Sequence, residues 1–196
     1  MTSSSTILLL FQVQIHSIIF VSQDLVVLYI KDMLHSEPLL HLTNSGFTDS
    51  VWAPIKSKGG TSIIGVCYKS TSSTDPNNVK LLQLLEEATQ QPHRHIIILW
   101  NFNYPSIEYS KLIVNPGGEQ AAKDFLDKTM DIFLYQNVYE DTRVRRGQNP
   151  SKLDYIFTDE DNLIENLHSA GITATWKKWP CLLRFFISKK ERGWSA

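Results

Sequence analysis

Apolar positions along the chain fall into short runs separated by polar segments, and the period within each run names its element. Asp24 to Lys31 (DLVVLYIK) is a brief run rich in Val, Leu and Tyr, which predicts a strand. Ser50 to Ile55 alternates, with Val51, Ala53 and Ile55 on one side, the pattern of a half-buried strand. Lys58-Gly59-Gly60 predicts a turn, and Thr61 to Tyr68 (TSIIGVCY) a buried strand. A polar loop over 69–76 ends at Asp75-Pro76, which predicts a helix start with a side-chain cap and a proline in the first turn. Leu81, Leu82, Leu85 and Ala88 recur at helical spacing, so 77–91 reads as an amphipathic helix. His95 to Trp100 (HIIILW) predicts another buried strand. Asn101 to Pro105 is then a loop at its carboxyl end, where α/β folds place functional residues.

The second half continues the alternation. Pro116-Gly117-Gly118 is a break, followed by a helix with Ala121, Ala122, Phe125 and Leu126 on one face. Ile132 to Val138 is a mixed apolar stretch, and 140–150 (EDTRVRRGQNP) a polar, basic loop. Lys152 to Thr158 (KLDYIFT) predicts a strand with one carboxylate, Asp154, inside it; Asn162 to Leu167 and Cys181 to Ser188 are further strand candidates. The first 23 residues are less regular. Thr6 to Gln23 carries no charge, yet it lacks the basic start and small-residue cleavage site of a signal peptide. A core strand and an unrelated apolar leader are the two readings open for it.

Composition narrows the classes. With 196 residues, 42% hydrophobic and 20% charged, the chain is expected to form one globular domain with at most a short tail. Its net charge of −1 excludes a polycation, though not a local basic patch. Two cysteines, Cys67 and Cys181, cannot build a disulfide framework and point to a reducing compartment. No stretch reaches the roughly 18–20 apolar residues of a membrane span.

Several residues carry candidate chemistry. Asn101 and Asn103 flank Phe102. A carboxamide can hold a phosphate oxygen or orient a water, but it cannot act as a general base; the plainer reading is a turn. Asp154 within a strand either needs a partner or turns to solvent; a partnered Asp154 would orient a histidine or bind a metal. Arg143, Arg145, Arg146 and Lys152, near Thr142, would follow a phosphate backbone, unless the segment is a solvated basic loop. His93 and His95 flank Arg94 before a strand and would suit a zinc pair. Tyr68 reads first as a packing residue.

In order, IIGVCYKSTSS, NNVKLLQLLEEA, HIIILWNFNYPSIEYS, GGEQAAKDFLDK and VYEDTRVRRGQNPSKLDYIFTDEDNLIENL resemble the endonuclease domain of LINE-type (non-LTR) retrotransposons, within the endonuclease/exonuclease/phosphatase superfamily. The resemblance runs from about Asp24 to His168. It implies a partial two-sheet α/β sandwich of the DNase I-like type lacking its first strands. The divisions are a divergent apolar leader over 1–23, the endonuclease-like domain over 24–170 and a divergent strand and tail over 171–196. It implies ancestral Mg²⁺-dependent hydrolysis of a DNA phosphodiester bond, serving reverse transcription. Tyr68 matches the tyrosine beside the scissile phosphate, with Lys69 at a family arginine. Asn103 matches the asparagine of Gly-Asp-Phe-Asn, a phosphate and water ligand. Thr142 matches a threonine near the DNA-contacting loop, and Asp154 the carboxylate that orients the catalytic histidine.

The departures are as specific as the matches. The family's Gly-Asp-Phe-Asn reads Trp100-Asn101-Phe102-Asn103, so the aspartate that polarises the attacking water is an amide without a basic lone pair at neutral pH. Lys178-Trp179-Pro180 stands where Ser-Asp-His is expected, and no residue matches the metal-binding glutamate. The expectation is a truncated, degenerate copy that binds no Mg²⁺ and does not cut. The alternatives are a non-catalytic nucleic-acid-binding module using the 142–152 loop, or a fragment without selected function. Lineage suggests a nuclear or cytoplasmic place, with secretion left open, no membrane partner and no small-molecule cofactor.

Overall fold

The computed structural model describes residues 7–9, 17–22, 26–31, 34, 36–57, 59–101, 103–138, 154–161, 163–168, 173–176 and 187–189. In chain order the elements are β1 (Ile7–Leu9), β2 (Ser17–Ser22), β3 (Val26–Lys31), the one-turn α1 (Leu40–Thr43), β4 (Ser50–Ser57), β5 (Gly60–Tyr68), α2 (Asp75–Thr89) and β6 (Ile96–Asn101). There follow β7 (Ile107–Glu108), β8 (Ile113–Val114), α3 (Gln120–Asp131), β9 (Tyr135–Gln136), β10 (Asp154–Thr158), β11 (Ile164–His168), β12 (Thr173–Trp176) and β13 (Ile187–Lys189).

A five-stranded sheet in the order β4-β5-β6-β10-β9 forms the centre. β5 and β6 are parallel, joined through α2, and the other pairs are antiparallel. A four-stranded sheet, β13-β1-β3-β2, stands against it, with β3 touching β4 and β5. The pairs β7-β8 and β11-β12 are two-stranded ribbons.

Strand alternation divides the core into two layers. Trp52, Ile63, Cys67, Ile96, Ile98, Tyr155 and Phe157 share one cluster with Leu81, Leu84, Leu85 and Ala88 of α2 and Ala122, Phe125 and Leu126 of α3. On the opposite face Val51, Ala53, Ile55, Ile64, Val66, Ile97, Leu99 and Ile156 pack with Val26, Leu28 and Ile30 of β3. Because both faces are covered, β5 and β6 read as continuous apolar runs rather than alternating ones. Each fully buried aliphatic side chain contributes about 1.5–3 kcal/mol relative to exposure, so the second sheet stabilises the fold as directly as the helices do.

Three expectations change in detail. β4 is not half-buried: Trp52, opposite Val51 and Ala53 in phase, is wholly enclosed under the helices. Its ring lies over Gly65, where a Cβ would come within 2.3 Å of Trp52 Cζ3, so only glycine fits there. The helix expected from residue 77 begins at Asp75. Its N-cap is Thr74, and no side-chain cap bond forms. Asp75 instead occupies the first turn, where its charge meets the positive end of the helix. The 1–23 stretch, expected as an apolar leader, contains two strands, β1 and β2, both in the sheet with β3. Cys67 is a buried free thiol; burial and the charge of Asp49 push it far up. Cys181 lies outside the described residues.

Candidate functional site

β5 and β6 run parallel and end level with each other. Their register pairs Tyr68 with Asn101. On the other side of β6 the antiparallel register pairs Asn101 with Asp154, the first residue of β10. Three residues far apart in sequence therefore stand in one row across three strands, at the carboxyl ends of β5 and β6. Within β5, Tyr68 follows the strand phase of Val66, the face turned to the second sheet.

Tyr68 is half-buried and packs against that inter-sheet core. Its phenol is pushed up, first by burial and then by the charge of Asp49. Its backbone N–H donates to the Asp49 carbonyl at 2.8 Å. Lys69 follows on the opposite face. It is only 3% exposed, and its Nζ lies 4.3 Å from the centroid of the Tyr104 ring. Burial lowers the Lys69 ammonium, and the charge of Glu119 opposes that shift.

Asn103 closes the loop after β6. Its backbone is left-handed, with φ of 50°, a conformation that Asn tolerates better than most residues. Its Nδ2 donates to the Lys69 carbonyl at 2.7 Å. This bond ties the β6 loop to the end of β5 and brings Asn103 to the Tyr68 row.

Of the sequence candidates, Tyr68, Asn101, Asn103 and Asp154 are thus brought together. Phe102, Thr142, Arg143, Arg145, Arg146 and Lys152 lie outside the described residues, as do Lys178, Trp179 and Pro180. His93 and His95 lie before β6, across the sheet from the row. His93 Nε2 is 3.5 Å from Asp159 Oδ2, and His95 Nδ1 is 3.5 Å from Glu160 Oε2. Sequence reasoning passed over Asp49. It is a half-buried carboxylate whose burial raises it. It precedes β4 and becomes a neighbour of Tyr68 only through the β4–β5 pairing, which single-sequence periodicity does not reveal.

A phenol, an ammonium and carboxamides donate hydrogen bonds. The Mg²⁺ that the resemblance implies asks for carboxylate oxygens. Position 101 offers a neutral carboxamide instead, and among the described residues no group of three or more His, Cys, Asp or Glu could hold a metal ion.

No protein-family model and no curated protein matches the chain. Among solved structures, the endonuclease domain of TRAS1, a telomere-specific non-LTR retrotransposon, is similar over 94% of this chain and 81% of that one. Its TM-score is 0.52 and its sequence identity 10%. The chain shares its fold with that domain. An endonuclease/exonuclease/phosphatase family protein from Leptotrichia buccalis C-1013-b has 18% identity and a TM-score of 0.40, over 59% of this chain and 44% of that one. One from Bacteroides thetaiotaomicron has 11% identity and a TM-score of 0.39, over 70% of this chain and 51% of that one. No helix among the described residues is long and apolar enough to cross a membrane.

Proposed function

We propose that the chain is an endonuclease/exonuclease/phosphatase domain of retroelement descent that no longer hydrolyses phosphodiesters and keeps a capacity to bind them. One observation carries this reading: the residue standing between Tyr68 and Asp154 in the strand row is Asn101, a carboxamide. An amide cannot take a proton from water. Losing one positioned acid–base group lowers a rate by about 10²- to 10⁴-fold. Such groups act together, so the losses of the base, the histidine and the metal carboxylates do not simply multiply. Without a metal, however, the developing charge on the phosphate loses its main stabilisation.

The basic sequence Thr142, Arg143, Arg145, Arg146 and Lys152 favours backbone binding to DNA as the remaining activity. The deciding experiment is nicking of supercoiled plasmid by the purified protein with Mg²⁺, beside Asp154→Ala and an EDTA control. No nicking by protein that melts cooperatively is the expected result. Nicking that needs both Mg²⁺ and Asp154 would overturn the proposal.

A further inference from the structure

A cavity of about 250 Å³ opens between the start of α2 and the start of α3. Asp75 and Asp124 line it with carboxylates, Leu82 and Ala121 with aliphatic carbon, and Tyr104 with an aromatic ring. Asn78 also lines it. That side chain is 8% exposed, and its Oδ1 is buried without a hydrogen-bond partner. An orphaned buried acceptor of this kind is unfavourable. It persists in a folded protein when something else meets the carboxamide.

Charge decides the sign of the guest. Asp75 and Asp124 lie in the wall, and Glu119 is close enough to act on both Lys69 and Tyr104. The nearby cation, Lys69, is buried against the Tyr104 ring. The two helix N-termini each add about half a positive charge, which leaves the cavity net negative. The volume is below the roughly 300–1,000 Å³ of sites for drug-sized ligands, so it takes a group of side-chain size. Two carboxylates beside an aliphatic wall match a weakly hydrated guanidinium on an alkyl stem better than a compact, strongly hydrated ammonium.

We propose that this cavity between α2 and α3 binds a guanidinium group, that of an arginine side chain, with Asp75 and Asp124 as its carboxylate partners. The Asp124 carboxylate is already oriented by Gln120, whose Nε2 donates to Oδ1 at 2.7 Å, leaving Oδ2 for the guest. The alkyl stem lies along Leu82 and Ala121. The site does not use the Tyr68 row, so it stands whether or not the nuclease reading does.

The test is a titration of the isotope-labelled protein followed by backbone amide NMR, with N-acetyl-arginine-N-methylamide as the probe. The lysine and norleucine analogues are controls, and free L-arginine is a second arm. Saturable shifts confined to 75–82 and 120–124 are expected, with Kd on the order of 1 mM. Binding should weaken at least about fivefold in Asp75→Asn and in Asp124→Asn, each removing one charged contact. Both aspartates lie at the surface, and a thermal melt verifies that the variants fold. Equal affinity for the capped and free arginine identifies a peptide side chain. Free arginine binding about tenfold tighter, a difference near 1.4 kcal/mol, identifies the amino acid as ligand of the same site. Equal shifts by the norleucine analogue, no shift by either arginine probe, or unchanged affinity in both variants would overturn the proposal.

Discussion

Asn103 Nδ2 donates to the carbonyl of Lys69 at 2.7 Å, across the gap between the ends of two parallel strands. The bond holds Asn103 at φ of 50° and sets the loop beside Tyr68. Two contributions to stability are joined in that residue. Asn103→Ala removes the hydrogen bond and leaves a residue that tolerates left-handed backbone less well than Asn does, so it is expected to destabilise by about 2 kcal/mol. Asn103→Gly removes the bond but relieves the backbone, and should lose about half as much. Urea denaturation of the two variants checks this. Equal losses would mean that the backbone conformation contributes nothing.

Gly65 and Trp52 make a second pair whose sizes are matched. Gly65→Ala would put a methyl group into the Trp52 ring, which is fully enclosed. Overpacking of this kind costs about 1–3 kcal/mol. A lower thermal midpoint for Gly65→Ala, partly restored when Trp52→Phe is added, is the expected pattern. If the alanine variant melts like the parent, the ring moves aside freely and the packing argument fails.

The His93–Asp159 contact predicts a pH dependence. The hydrogen bond to Asp159 raises His93 above its ordinary 6.5, against the opposing effect of burial. Burial pushes Asp159 up, but hydrogen bonds from His93 and the Ile96 N–H outweigh it and hold it below 3.8. A raised histidine stabilises below its unfolded value, and the gain disappears as pH rises through the folded value. A lowered carboxylate stabilises above its unfolded value and loses that as pH falls through the folded one. Their joint contribution is therefore largest between 3.8 and 6.5. Melting temperatures of the parent and His93→Gln should differ most in that window and converge above it. Parallel curves at all pH values would remove the contact from the account.

For the proposed DNA binding, the salt slope is the sharpest measure. Replacing Arg143, Arg145 and Arg146 together by Ala should lower the slope of log K against log salt by about 2–3, at roughly 0.9 per lost phosphate contact. Fluorescence anisotropy with duplex DNA at several salt concentrations reads this directly. An unchanged slope would take these arginines out of the interface.

Much of the central sheet is legible in the chain because its strands are long and apolar. β5, β6 and β10 emerge from runs of Ile, Val and Leu or from KLDYIFT, and α3 from the spacing of Ala122, Phe125 and Leu126. β7 and β8 have two residues each, too few for any period to register. Trp52 shows why burial on two faces is harder to read: alternation within Ser50 to Ile55 marks one apolar side, while the other side is covered by helices that come later in the chain. The site was half legible. The motifs named Tyr68, Asn101, Asn103 and Asp154, but only the strand register places Tyr68, Asn101 and Asp154 in one row. Asp49, the Tyr104 partner of Lys69 and the Asp159 partner of His93 depend on tertiary contacts, and local sequence carries no signal of them.

Burial of the central sheet on both faces has an evolutionary side. A substitution inside β5 or β6 disturbs two packed layers at once, so the strand interiors tolerate little drift. Tyr68, Asn101 and Asp154, in contrast, sit where the strands run out. A gene for such a domain can lose its chemistry one strand end at a time while its product still folds, which leaves a structured scaffold on which selection can install another use.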